Sequence, residues 1–169
     1  PLPGLGLLSA AMLIMIAQLR GPREAVVDCL LGLVLLAVIA LLVGMNAAWL
    51  IVAAGISWLL WVGLGALQAW SGSLRLTAQV AVIAALAVLA LMLLLLDDAT
   101  AYWMSVLDTL YKDFALQGVR IEADIRAQAE LMSGAAVAGS LMGSLLALCL
   151  GSSWASALTG GDFAAQFRQ

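Results

Sequence analysis

Residues 78–96 read AQVAVIAALAVLALMLLLL, a run with no charge and one polar side chain, Gln79, at its margin. At about 1.5 Å per residue, a helix over this run would be about 28 Å long, close to the ~30 Å hydrocarbon thickness of a bilayer. The run ends abruptly at Asp97-Asp98. Such a segment reads as a membrane-spanning helix, and it fixes how the rest of the chain is read.

Working outward, Ala47–Leu67 is a second such run, carrying Trp49, Trp58 and Trp61, with Trp70 just beyond it. Trp49 and Trp70 fall where an interfacial aromatic belt belongs. Ala25–Val43 is a third, with Asp28 near its start, and Gly4–Leu19 a fourth, slightly short. These two are separated by Arg20-Gly21-Pro22-Arg23-Glu24, where glycine and proline both oppose helix continuation. Gly44-Met45-Asn46 and Ser71-Gly72-Ser73-Leu74-Arg75 read as further connections, and Leu131–Leu158 as the last span. The expectation is an all-α integral membrane protein, a single transmembrane domain over residues 1–169 with about five spans. The chain begins at Pro1 already within apolar sequence, so a missing natural start and a sixth helix in an intact chain are expected.

Composition points the same way. Of 169 residues, 65% are hydrophobic and 10% charged, and the mean hydropathy is +1.13. A soluble chain averages about 45–50% apolar and ~25% charged, so lipid is the expected solvent and the bilayer the expected first partner. Seven Lys and Arg, scattered along the chain, leave no footprint for nucleic acid. Histidine is absent, which removes the commonest haem ligand and a usual ligand of catalytic zinc. Cys29 and Cys149 lie in apolar runs and read as small apolar side chains. No Walker loop, HExxH, CxxC or GxSxG motif occurs, and no cofactor or metal is implied.

Residues 97–130 form the one long polar segment, with seven of the ten acids. Within it Trp103, Leu107, Leu110, Tyr111 and Phe114 recur at helical spacing, while Asp108, Lys112 and Asp113 fall on other faces. That pattern reads as an amphipathic helix on the membrane surface, broken at Gly118, with a further helical stretch over Val119–Glu130. With five spans, Arg20, Arg23, Arg75 and Arg168 share one side, which the positive-inside rule makes cytoplasmic together with the C-terminus. Residues 97–130 would then be periplasmic or extracellular, and the compartment a bacterial inner membrane.

The last span carries Ala135, Gly139, Gly143, Ala147 and Gly151 every fourth residue, with Ser140 and Ser144 beside them. A small-residue face lets another backbone approach closely, where packing and hydrogen bonds drive helix association. Packing within the chain is the plainer reading, and docking of a second membrane subunit the other. Gly55, Gly63 and Gly65 thin the third span, and with Trp58 and Trp61 they suggest a pocket of small floors and ring walls, Trp58, Trp61, Gly63 and Gly65 being its candidates. Asp28 is the one carboxylate inside an apolar run, close enough to the interface to pair with Arg20 or Arg23. Gln18, Asn46, Gln68 and Gln79 read as interfacial.

Two end segments resemble a known family. Leu145-Leu146-Ala147-Leu148, Trp154, Leu158, Gly160-Gly161, Phe163 and Phe167-Arg168 resemble the ending of the YybS-like family of uncharacterised bacterial multispanning membrane proteins. Pro3-Gly4-Leu5-Gly6 and Ala17-Gln18-Leu19-Arg20-Gly21 are similar to its early helix and basic turn. The tail departs from the pattern, which usually runs further and more basic. The resemblance implies an architecture similar to the S components of energy-coupling-factor vitamin transporters and to the rod-shape protein MreD, compact bundles of about six helices; fold likeness alone carries no activity. In S components the small-residue docking face lies on an early helix, so that role does not transfer to Ala135–Gly151.

Together these readings favour a non-enzymatic membrane protein that binds a small molecule or serves transport. The alternative is an accessory subunit packed onto a larger complex through its small-residue face. An intramembrane enzyme would need a base beside Ser140, Ser144, Cys149 or Ser152, and none is evident.

Overall fold

The computed structural model describes residues 3–43, 48–95, 98–116, 124–161 and 163. Six helices follow in order: α1 Pro3–Leu19, α2 Pro22–Val43, α3 Ala48–Ser71, α4 Leu74–Leu95, α5 Ala99–Leu116 and α6 Ile125–Thr159. No strand occurs among the described residues. The expected Gly44-Met45-Asn46 connection, the break at Gly118, Asp97, Asp162, Phe167 and Arg168, and the side chains of Trp49 and Asp113 lie outside what is described.

Four helices, Pro22–Val43, Ile51–Ser71, Leu74–Leu95 and Ile125–Thr159, are long and apolar enough to cross a membrane. The fifth expected span, α1, is shorter: its 17 residues reach about 25 Å, less than the ~30 Å hydrocarbon core. The helical stretch expected over Val119–Glu130 and the last span run together from Ile125 as one 35-residue helix, charged only in its first turns.

Helix ends follow local chemistry. Gly21, Gly72 and Gly160 have positive φ just after α1, α3 and α6, the left-handed conformation in which a helix terminates. Side-chain oxygens take up free amides at three starts. Ser73 Oγ accepts from the Leu76 amide at 3.4 Å and Asp98 Oδ1 from Ala101 at 2.9 Å. Asp124 Oδ1 accepts from Arg126 and Ala127 at 3.0 and 3.2 Å. Each such cap is worth about 1 kcal/mol.

The chain divides into two compact units. The first holds residues 1–81 and 143–169. Here α1 is the enclosed helix: Ala10, Ala11, Ile14 and Ala17 are at most 1% exposed. Ala10, Ala11 and Ile14 pack with Leu74, Ala147 and Leu148, flanked by Trp61 and Trp154. Ala17 packs with Ala25, Cys29 and Val62, flanked by Trp58. Small residues make this closeness possible. A Cβ on Gly65 would stand 2.9 Å from the Ile14 carbonyl oxygen, and one on Gly151 2.6 Å from that of Ala11. By contrast, α2 buries only Ala25, Cys29 and Ala40, and its outer leucines stand open, Leu42 at 82%.

The second unit, Val82–Met142, contains α5 and the first half of α6. The face read as apolar in α5 packs there on α6. Leu107 is buried, Trp103 Nε1 donates to Ser133 Oγ at 2.7 Å, and the Tyr111 hydroxyl donates to Gln128. Leu110 and Phe114 remain at the exposed rim of that face. Lys112 and Asp108 pair at 2.6 Å on the outer side. On α4 the leucines of this unit are open, Leu94 at 81%.

The contrast between glycines is measurable. Gly151→Ala should lower the apparent melting temperature in detergent, because overpacking against a backbone oxygen costs about 1–3 kcal/mol. Gly143→Ala, with nothing within 4 Å, should leave it unchanged or raise it. Equal melting of the two variants would contradict the packing described.

Candidate functional site: a polar cleft where three helices end

The last turns of α1, α3 and α6 surround a cleft of about 210 Å³, lined by Gln18, Leu19, Gln68, Ala69, Gly72, Ala155, Ser156 and Thr159. It lies within the first unit, at the end where Gly21, Gly72 and Gly160 terminate the three helices. Below the cleft the helices are held together by side-chain hydrogen bonds. Gln18 Nε2 donates to Ser152 Oγ at 2.8 Å, tying α1 to α6 across 134 positions of sequence. The Thr77 hydroxyl lies 2.9 Å from Gln68 Oε1 and 3.1 Å from the Ser73 carbonyl, sharing one proton between the two acceptors. Gln68, Thr77, Ser152 and Ser156 are all buried. No buried side-chain nitrogen or oxygen among the described residues lacks a partner, as groups this far from water require.

Along the small-residue row the environment changes. Ala147 and Gly151 are buried against α1, together with Ser144 and Ser152. Ala135, Gly139 and Ser140 are exposed, Gly143 half-buried, and added Cβ atoms at Gly139 and Gly143 would meet nothing within 4 Å.

The four residues read as a pocket, Trp58, Trp61, Gly63 and Gly65, have different surroundings. The Trp58 ring fills the space over Gly32 on α2, within 2.7 Å of where a Cβ would stand, and Trp61 belongs to the other cluster. Gly65 is occupied by α1, and Gly63 is exposed with open space above it. At 100° per residue, positions 58, 61 and 65 share one side of the helix and 63 does not.

Asp28 is exposed, and among the described residues the ion pairs are Lys112–Asp108 and Arg126–Glu130. No group of three His, Cys, Asp or Glu that could hold a metal occurs among them. The residues that build the cleft include Gln18 and Gln68, which the sequence suggested were interfacial. Their signal was an amide at the last turn of an apolar helix, one step before a glycine-containing turn.

No family model, curated protein or solved structure matches the chain.

Thr77→Val removes the hydroxyl from a buried, filled site and leaves the Gln68 oxygen without that donor. Thermal or denaturant unfolding should register a loss of about 1–3 kcal/mol, whereas the exposed Thr109→Val should fall within about 0.5 kcal/mol of wild type. A neutral Thr77→Val would mean that the network adds nothing to stability.

Proposed function

We propose that this chain is an integral membrane protein that works by binding, taking a small molecule in the cleft between the ends of α1, α3 and α6, as a transport-associated component would. The cleft itself carries the reading: in it, polar groups converge on open space beside the apolar clusters of the first unit. Membrane insertion is supported by four helices of spanning length and by leucines left facing outward on α2 and α4. Arg20, Arg23 and Arg75 lie near the helix ends around the cleft, which under the positive-inside rule supports a cytoplasmic side for that end, in what we take to be a bacterial inner membrane. The resemblance to the YybS-like family, and through it to S components, agrees with binding without specifying a ligand.

Native mass spectrometry of the gently solubilised chain tests this. The wild type should carry a small-molecule adduct that is missing from Ala69→Trp, a substitution that fills the cleft from an exposed position. No adduct in the wild type, or the same adduct in both, counts against it.

A second reading is favoured by the open part of the α6 row. Glycine in a helix interior costs about 1 kcal/mol relative to alanine, and among the described residues nothing lies within 4 Å of where a Cβ of Gly139 would stand. The face of Ala135, Gly139 and Ser140 would then admit a helix of a second membrane subunit. Gly139→Leu should leave insertion intact and lower retention of a co-purifying partner by about tenfold, the equivalent of 1.4 kcal/mol. Unchanged retention removes this reading.

A further inference from the structure

We infer that the cleft selects a small uncharged molecule presenting hydroxyl groups, an inference that rests on the binding role proposed above. Its described lining is Gln18, Leu19, Gln68, Ala69, Gly72, Ala155, Ser156 and Thr159, with no charged side chain among them. An ion seated against this lining meets no opposite charge to offset whatever water it gives up in the open cleft. Amides and hydroxyls both donate and accept, so hydroxyl groups of a neutral guest can replace their lost water contacts with either polarity. Leu19, Ala69 and Ala155 provide carbon surface for the guest's backbone. Size sets a further limit: about 210 Å³ is below the 300–1,000 Å³ typical of pockets for drug-sized ligands, so the guest is a short polyol. Arg20 directly follows Leu19 and would favour an anion if it reached inward, but its side chain is exposed and takes no part in the lining.

The walls are rigid enough to discriminate. Gln18 is anchored on Ser152, the Gln68 oxygen on Thr77, and Thr159 Oγ1 donates to the Ala155 carbonyl at 3.0 Å. None of the amide or hydroxyl groups needs to titrate for binding, so selection rests on charge and shape alone.

The matched probes glycerol, glycerate and protonated 2-amino-1,3-propanediol separate neutral, anionic and cationic guests of nearly one size. Saturation-transfer NMR on the full chain in lipid nanodiscs should give glycerol a Kd at least about tenfold lower than either charged probe. Ala69→Trp should abolish the glycerol signal, and Thr159→Val, which keeps the side chain's shape, should weaken it about three- to tenfold. A charged probe binding as well as glycerol would overturn the selectivity while leaving the binding role standing. Glycerol binding that persists undiminished in both variants would overturn the site. If none of the three probes binds, the polyol inference fails, while the adduct seen or missing in native mass spectrometry decides the binding role separately.

Discussion

Two backbone-to-backbone approaches hold the first unit together, α3 onto α1 at Gly65 and α6 onto α1 at Gly151. At both places a methyl group would stand within 3 Å of a carbonyl oxygen, so the helices meet only because the side chain is missing. Enclosure of α1 follows, with Ala10, Ala11, Ile14 and Ala17 almost wholly covered. So does the cleft, which opens where the three helices reach their last turns and no longer fill the space between them. Dispersion between closely apposed small residues is a short-range force, and it fades within an ångström of separation. The unit therefore depends on fit at a few points more than on the quantity of apolar surface, of which the chain has far more than it buries.

Polar groups complete what packing begins. Gln68 with Thr77 is a buried pair and Gln18 with Ser152 a part-buried one, both beside apolar neighbours, where an unmade hydrogen bond is costly. Such pairs specify register: a helix rotated or shifted by one residue would strand an amide among leucines. In the second unit, the part-buried bond of Trp103 with Ser133 does the same between α5 and α6, while that of Tyr111 with Gln128 is exposed.

Helix positions were legible in the sequence because apolar run length and glycine-containing turns are local signals. Pro22–Val43 and Leu74–Leu95 lie within a few residues of the runs that announced them. The apolar face of α5 was legible too, through Trp103, Leu107 and Tyr111, although periodicity does not name what the face meets. The cleft was not. Gln18 and Gln68 belong to different helices, and their convergence is a tertiary fact that no window of sequence contains. The separate surroundings of the third-span tryptophans were illegible for a related reason. Trp58 and Trp61 are close in sequence, yet one ring covers Gly32 and the other joins the cluster of Ala10 and Leu148. Nor could spacing alone separate Gly151, pressed on Ala11, from Gly139, pressed on nothing.

The second unit is one uninterrupted stretch, whereas the first draws on both ends of the chain. Synthesis proceeds from the N-terminus, so α1 emerges long before Ser152 and Gly151 exist to cover it. Its small-residue face toward α6 must stand waiting through most of translation, while α2 and α3 already cover other parts of the helix. The contact of α1 with α6 has a high sequence separation and waits on synthesis of the last helix, which makes it a late step in maturation. A ribosome stalled before residue 143 would leave that face bare, the state most exposed to misassembly or to capture by a chaperone.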